Sequence, residues 1–244
     1  RLESAQSAQG NSLFARANRQ AWKWYLEAPI AFNESLQNGE KLKMIDAQPL
    51  LTSVWHQSAP YNADCPAGDS NCTECPDGSA PAARSLAGCV AIATAQIMKY
   101  HNWPPAGTGS GGFEWDGDTS CSGVPAGMSL YADYSDTYDW SNMPDDCSES
   151  DPVVQQQAVA ELCREAGIAV RMNYGVCVSL ASITAVVDAL PAHFNCSAMI
   201  ETRYRNEYPS ADAWFDAIKA EIDAHRPILY GIRTEQGGHA LVCD

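Results

Sequence analysis

The chain has 244 residues, a formal net charge of −15 and a hydrophobic fraction of 45%. The hydrophobic fraction is typical of a globular protein, and the length is enough for a buried core in one large or two small domains. The acidic balance argues against a nucleic-acid-binding protein, because binding phosphates needs a basic surface, and against a polybasic membrane anchor. No apolar run approaches the roughly 18 residues of a transmembrane helix.

The N-terminal residues differ in pattern from the rest of the chain. Apolar side chains at helical spacing predict a helix over 1–27, and the polar stretch 33–48 is typical of a linker. A compact region is predicted to begin near Pro49. Residues 58–88 are rich in Pro, Gly, Asp and Asn, which predicts loops, and they contain three cysteines, Cys65, Cys72 and Cys75.

A long apolar segment follows these loops. Residues 90–100 are apolar nearly all round, which predicts a helix buried in the core, and the sequence from Asn102 to Pro105 should end it. Residues 106–152 are again rich in turn-forming residues and predict short strands at most.

The second half predicts further helices and two closing strands. Asp151 and Pro152 predict the cap and first residue of a helix that runs to about Ala166 and is stopped by Gly167, with a strand over 168–172. Other helices are predicted over about 180–190 and after a cap at Ser210. Strands are predicted at 228–233 and 239–243. Helices followed by strands indicate the α+β class.

Ten cysteines are a high count for this length. In an oxidising compartment such a count indicates disulfides, and in a reducing one metal binding or catalysis; we favour export. In the segment 63–83 the spacing Cys65-x6-Cys72-x2-Cys75 therefore favours disulfides. A zinc site would need a fourth ligand, and none is evident nearby.

Cys89 differs from the other cysteines because it stands where the buried helix begins. The partial positive charge of a helix N-terminus stabilises a thiolate, and Gly88 lets another backbone approach closely. These features predict a nucleophile. The alternatives are a small apolar residue at the start of a core helix or a disulfide partner.

A thiolate nucleophile needs a nearby base, and His239 is the best candidate. It precedes an apolar strand, and Gly237 and Gly238 leave its approach uncrowded. It follows Cys89 by 150 residues, and papain-like enzymes place the histidine about 130–150 residues after the cysteine. His101 lies 12 residues further along the same helix, or about 18 Å away, which is too far. The alternative for His239 is a structural core histidine.

The oxyanion formed during acyl transfer needs hydrogen-bond donors. The backbone N–H of Cys89 is one candidate. Gln57, 32 residues upstream of Cys89, fits the papain-like pattern of a glutamine before the nucleophile.

Together these residues resemble the streptopain family of bacterial secreted cysteine proteases over about residues 49–244. The matching stretches are Pro49–Leu51, Trp55–Asn62, Gly88–Ala91, Thr94–Pro104, Gly167–Ile168, Met172–Gly175 and Gly237–Ala240. The run from Gly88 to Pro104 is the most specific of them.

The resemblance implies a papain-like fold, with the nucleophile helix in a helical half and the histidine in a β-rich half. It implies a secreted cysteine endopeptidase acting through a thioester, with Cys89 as nucleophile, His239 as general base and acid, and Gln57 as an oxyanion donor. Protein or peptide substrates and the enzyme's own prodomain are the implied partners, and no cofactor or metal is implied. The implied location is extracellular, and a periplasmic or outer-surface location is the alternative.

Family members are zymogens with an inhibitory prodomain. Residues 1–48 then correspond to the end of that prodomain and its linker, residues 49–244 to the catalytic domain, and maturation is expected near Gln48–Pro49. The family also carries an Asn-Trp pair downstream of the histidine, whereas this sequence stops at Asp244. We therefore expect a truncated catalytic domain, and little or no activity from the 244-residue chain itself.

Three further residues complete the predicted site. Gly88 and Gly238 are expected to border the substrate, and Arg233, if it faces the cleft, could pair with an acidic substrate side chain. A solvated strand charge is the alternative for Arg233. With Cys89 free, nine cysteines remain, so at least one must be unpaired, and Cys243 is the candidate.

Three other functions use the same features. A papain-like amidase or transglutaminase would share the Cys-His pair, so only its products distinguish it. A non-catalytic binding protein on the same fold predicts loss of Cys89 or His239, and both are present. A disulfide-stapled adhesin predicts that Cys89 does not react with an alkylator at mildly acidic pH, where an ordinary thiol is protonated.

Overall fold

The computed structural model describes residues 49–68, 71–121, 127–234 and 237–244. The chain divides into two units, 1–48 and 49–244. The predicted helix at 1–27 and the predicted linker at 33–48 lie outside the described residues, and their assignment to a prodomain stays a prediction.

Helix α1, Cys89–His101, lies in the core. Its side chains from Val90 to Ala95 and at Met98 are buried, because apolar residues cover most of its circumference. It ends at Asn102, which adopts the left-handed conformation (φ +45°) and donates its N–H to the Lys99 carbonyl at 3.1 Å. The predicted buried helix and its stop are confirmed.

Helix α2, Val153–Ala169, extends past its predicted end. Pro152 occupies the cap position predicted for Asp151. Gly167 lies inside the helix, where an added Cβ would come within 2.2 Å of Tyr174 Oη. Its small size therefore serves close packing, and the prediction of a helix stop was wrong.

The strand predicted over 168–172 is wrong as well. After α2 the chain turns at Arg171, whose φ of +53° is incompatible with a continuous strand. The only pairing here is an isolated antiparallel bridge between Asn173 and Leu180. Apolar residues at the end of a buried helix and in the following turn produced the apparent strand signal.

Two shorter helices follow. Helix α3, Ala185–His193, begins later than predicted and includes Pro191 in its last turn. Helix α4, Ala211–Asp223, has the predicted cap, since Ser210 Oγ accepts the N–H of Ala213 at 3.1 Å. Single 3₁₀ turns lie at Trp140–Asn142 and Arg205–Glu207.

The described strands form two antiparallel hairpins. Strand β1, Ser110–Trp115, pairs with β2, Met128–Asp133. Strand β3, Ile228–Thr234, pairs with β4, Gly237–Cys243, and both were predicted. Helix α1 packs against α2 and against β4. The α+β class is confirmed.

One carboxyl group is buried among the apolar side chains of the core. Glu165 on α2 is 4% exposed, and the hydroxyl of Tyr138 donates a hydrogen bond to its Oε2. Burial raises the pKa of Glu165 to about 7. The core therefore holds a carboxyl that takes up a proton near neutral pH.

Two disulfides join the loops, Cys72–Cys121 and Cys75–Cys177. Disulfides in the segment 63–83 are confirmed for Cys72 and Cys75, whereas Cys65 is a buried free thiol. Cys243 is free as expected, and so are four further cysteines, Cys89, Cys147, Cys163 and Cys196. Among the described residues, every helix is too short or too polar to cross a bilayer.

Candidate active site

Cys89 is the first residue of α1, and the chain before it is shaped by a required glycine. Gly88 has φ +89°, a conformation that other residues rarely adopt, and its carbonyl accepts the N–H of Ile92 at 3.0 Å. An added Cβ at Gly88 would lie 2.4 Å from Met172 Cε. Cys89 itself is half-buried, and as the first residue of α1 it lies at the helix N-terminus.

Strand β4 brings the predicted histidine to this helix start. The N–H of Ala240 donates to Cys89 Sγ at 3.4 Å. His239 is the residue immediately before Ala240 and is paired with Ile232 across the hairpin. The structure thus brings the strand of His239 to the sulfur of Cys89, across 150 residues of sequence.

The environment of His239 favours the neutral imidazole. Its side chain is half-buried, and burial lowers its pKa below the ordinary 6.5. A neutral imidazole at pH 7 is able to accept the proton of a thiol.

Gln57 is held next to the Gly88–Cys89 turn by its backbone. Its carbonyl accepts the N–H of Ala87 at 3.0 Å. Its side chain is half-buried and belongs to the loop before the cis peptide Ala59–Pro60. The neighbouring His56 accepts the N–H of Ser58 on Nδ1 at 3.3 Å, and burial lowers its pKa.

The predicted substrate-binding residues are distributed between the two elements. Gly88 lies at the helix start, whereas Arg233 and Gly238 are exposed and opposite each other in the β3–β4 hairpin. A Cβ at Gly238 would meet only the Ile232 carbonyl, at an ordinary 3.6 Å, so folding of the hairpin does not require glycine there. Contact of Gly238 and Arg233 with a substrate stays a prediction.

The remaining histidines lie elsewhere. His101 is exposed in the last turn of α1, and His225 is exposed just after α4 with φ +56°. His193 ends α3 and stacks on Tyr134 with ring centroids 4.2 Å apart, which agrees with a structural role. None of these three has the position relative to Cys89 that β4 gives His239.

Sequence reasoning missed the residues that support the helix start from behind. Ser179 is buried, its Oγ donates to the Leu86 carbonyl at 2.7 Å, and it accepts the N–H of Gly175 at 3.0 Å. Met172 is fully buried against Gly88. The resemblance over Met172–Gly175 pointed to this segment but gave no reason for it, because a serine or a methionine in a loop carries no signal of its own.

Among the described residues, one group of side chains lies close enough together to hold a metal ion: Cys72, Cys75 and Cys177. The sequence shows no fourth ligand near Cys72 and Cys75. The fold supplies partners from distant positions, since Cys121 and Cys177 are 49 and 102 residues away from the cysteines they pair with.

Comparisons with known proteins identify the family of this chain. The peptidase C10 family matches residues 55–244. Streptopain of Streptococcus pyogenes is 31% identical over 205 residues, which cover 81% of this chain and 50% of streptopain. The thiol protease/hemagglutinin PrtT of Porphyromonas gingivalis is 27% identical over 218 residues, 89% of this chain and 22% of PrtT. The chain thus spans about half the length of the streptopain it matches.

Solved structures show the same fold. Active interpain A cysteine protease of Prevotella intermedia superposes with a TM-score of 0.64 at 31% identity, covering 79% of this chain and 74% of interpain A. A prointerpain A fragment gives 0.67 at 29% identity, covering 91% of this chain and 68% of the fragment. The predicted papain-like cysteine protease fold is confirmed. From the match over residues 55–244 and these relatives, the chain belongs to the peptidase C10 family of streptopain-like cysteine peptidases.

Proposed function

We propose that this protein is a cysteine endopeptidase that hydrolyses peptide bonds through a Cys89–His239 pair. The observation that carries the proposal is the 3.4 Å approach of the Ala240 N–H to Cys89 Sγ, which joins the strand of His239 to a cysteine at a helix N-terminus. Membership of the peptidase C10 family supports the same reaction.

The proposed first step forms a thioester. The neutral imidazole of His239 accepts the proton of the Cys89 thiol, and the sulfur attacks the carbonyl carbon of the peptide bond. The N–H of Ala240 faces the sulfur and stabilises negative charge on it. The backbone N–H of Cys89 and the side-chain amide of Gln57 donate to the developing oxyanion. The imidazolium of His239 then protonates the leaving amine, and the C–N bond breaks.

The second step releases the acid product. The imidazole of His239, neutral again, takes a proton from water as the oxygen attacks the thioester carbon. The C–S bond breaks, and the sulfur of Cys89 recovers the proton from His239. One water is consumed for each peptide bond cleaved, and the acid and amine products differ from those of an amidase or a transglutaminase.

We also propose that the protein is made as a zymogen and exported. Its partners are then protein or peptide substrates and its own prodomain, to which we assign residues 1–48. The match to a prointerpain A fragment supports a precursor with a prodomain. The two disulfides support an oxidising compartment. Sequencing the N-terminus of the matured protein tests the predicted cleavage near Gln48–Pro49.

Kinetics of the full-length protein on a fluorogenic peptide test the catalytic pair. Cys89→Ala and His239→Ala should each lower kcat/KM at least about 10³-fold, and Gln57→Ala about 10²-fold or more. Cys196→Ala is the matched control, because this half-buried free thiol borders a cavity formed with residues from the far end of α1, and it should leave kcat/KM unchanged.

The products decide between the candidate activities. A peptidase gives two peptides whose masses sum to the substrate plus one water. Ammonia release or an isopeptide product would instead indicate an amidase or a transglutaminase. A His239→Ala variant with wild-type turnover would contradict the proposed pair.

A further inference from the structure

Four cysteines from three separate segments bring their sulfur atoms into one cluster. Two of them lie in the turn 71–79, one follows β1, and one lies in the loop between α2 and α3: Cys72, Cys75, Cys121 and Cys177. The Sγ atoms of Cys72, Cys75 and Cys177 all lie within 4.8 Å of one another, and Cys121 is bonded to Cys72. We call these four residues the cysteine cluster.

Two independent disulfides do not need their sulfurs to converge. Cys72 Sγ and Cys177 Sγ belong to different disulfides and lie 3.7 Å apart. A tetrahedral zinc site with Zn–S bonds of about 2.3 Å has sulfur–sulfur edges of about 3.8 Å. The spacing Cys72-x2-Cys75 is also a ligand spacing of structural zinc sites. Three sulfurs of the cluster therefore have the mutual spacing of such a site, and Cys121, which is bonded to Cys72, is the candidate fourth ligand once that disulfide is reduced.

Hydrogen bonds that do not involve sulfur hold two of the three segments together. The buried carboxylate of Asp118 accepts the N–H groups of Val176 at 2.8 Å and Ser120 at 2.9 Å. The N–H of Cys177 donates to Ser120 Oγ at 3.1 Å. The segments that carry Cys121 and Cys177 are thus joined whether or not the disulfides are present.

The turn that carries Cys72 and Cys75 is held in the same way. The N–H of Gly78 donates to the Cys75 carbonyl at 2.8 Å, and the N–H of Cys75 donates to the Ser79 carbonyl at 2.9 Å. A few residues on, the N–H of Ala82 donates to the Val176 carbonyl at 3.0 Å. Because these hydrogen bonds do not depend on the disulfides, we expect the four thiols to stay near one another after reduction.

We propose that the cysteine cluster binds one Zn²⁺ through four thiolates when it is reduced. From the disulfide form, two equivalents of a dithiol supply four electrons and four protons, and each dithiol is oxidised to its own disulfide. The four thiols then lose their protons to the buffer as zinc binds. The same three segments are crosslinked in both forms, and the proposal does not depend on the peptidase activity.

Zinc analysis of the full-length protein tests this proposal. Every sample carries Cys89→Ala, so that the proposed nucleophile neither cleaves the protein nor binds metal. After reduction with dithiothreitol, addition of Zn²⁺ and dialysis, elemental analysis should find about one zinc per chain. Cys75→Ser should lower the zinc content at least about tenfold, whereas Cys196→Ser, a free half-buried thiol, should retain it.

A second measurement does not depend on the folding of a variant. With Co²⁺ in place of Zn²⁺, the reduced protein should show the intense visible absorption of tetrahedral cobalt and a thiolate-to-cobalt charge-transfer band. Bound zinc should also protect four thiols from alkylation, counted by intact mass. A reduced protein that retains no zinc after dialysis, or one whose four cluster thiols alkylate equally with and without zinc, would overturn the proposal.

Discussion

Replacing Gly88 by alanine perturbs the start of helix α1 in two ways. The backbone there has φ +89° and ψ 137°, which an alanine adopts only under strain. The added Cβ would also lie 2.4 Å from Met172 Cε and 2.6 Å from its Sδ. Met172 is fully buried and cannot swing into solvent.

The magnitude follows from these two contributions. Residues in such backbone regions cost about 1–3 kcal/mol, and overpacking of a core costs about 1–3 kcal/mol. Gly88→Ala should therefore lower the free energy of unfolding by about 2–6 kcal/mol. Met172→Ala alone should cost about 2–5 kcal/mol through the cavity it leaves. In the Gly88→Ala background it should cost about 1–3 kcal/mol less, because it removes the clash.

Urea unfolding of the full-length protein measures these values, with Cys89→Ala in every variant to prevent self-cleavage. The four proteins of the cycle give the coupling between Gly88 and Met172 directly. A loss below about 1 kcal/mol in Gly88→Ala would refute the argument as a whole. A large loss with no coupling would leave backbone strain as the cause and exclude the clash.

Three further predictions concern stability. Because the pKa of Glu165 is about 7 in the folded protein and 4.5 ordinarily, its protonated form contributes stability that is fully present below pH 4.5 and lost as the pH rises through 7. Between pH 5 and pH 8 the free energy of unfolding should therefore fall in the parent protein by about 2–3 kcal/mol more than it falls in Glu165→Gln. An equal change in the two proteins would contradict this. Gly167→Ala should lower the free energy of unfolding by about 1–3 kcal/mol, because the added methyl group meets Tyr174. The better helix propensity of alanine acts in the opposite direction. A higher melting temperature in the variant would show that Tyr174 moves aside. Ser210→Ala should cost about 1 kcal/mol by removing the helix cap, measured by thermal unfolding, with Ser210→Asp as the variant that retains stability.

Sequence patterns predicted those elements whose signal is local. The apolar run after Cys89 predicted α1, and Ser210 predicted the start of α4. Both signals come from residues close together in the sequence: a helix that is apolar on all sides, and a side chain that caps the helix following it. Gly167 was misassigned, since the reason for its small size is Tyr174, which approaches from another segment. A glycine within a helix and a glycine after one look alike in the sequence.

The candidate site shows the same division. Cys89 was selected as a candidate from its predicted place at a helix start, and His239 from its spacing and its predicted strand. Their approach through Ala240 depends on the packing of β4 against α1. The supporting roles of Met172 and Ser179, and the approach of Cys121 and Cys177 to one cluster, depend on tertiary structure and could not be derived from local patterns.

The hydrogen bond between Ala240 and Cys89 joins residues that are made at different times during synthesis. The two residues are 151 positions apart, which corresponds to about 8–30 s of translation at 5–20 residues per second. During that interval the ribosome has made the proposed nucleophile Cys89 but not the proposed base His239. The growing chain therefore lacks the complete proposed catalytic pair during that interval, and the proposed activity has to wait until β4 has been made and has packed against α1.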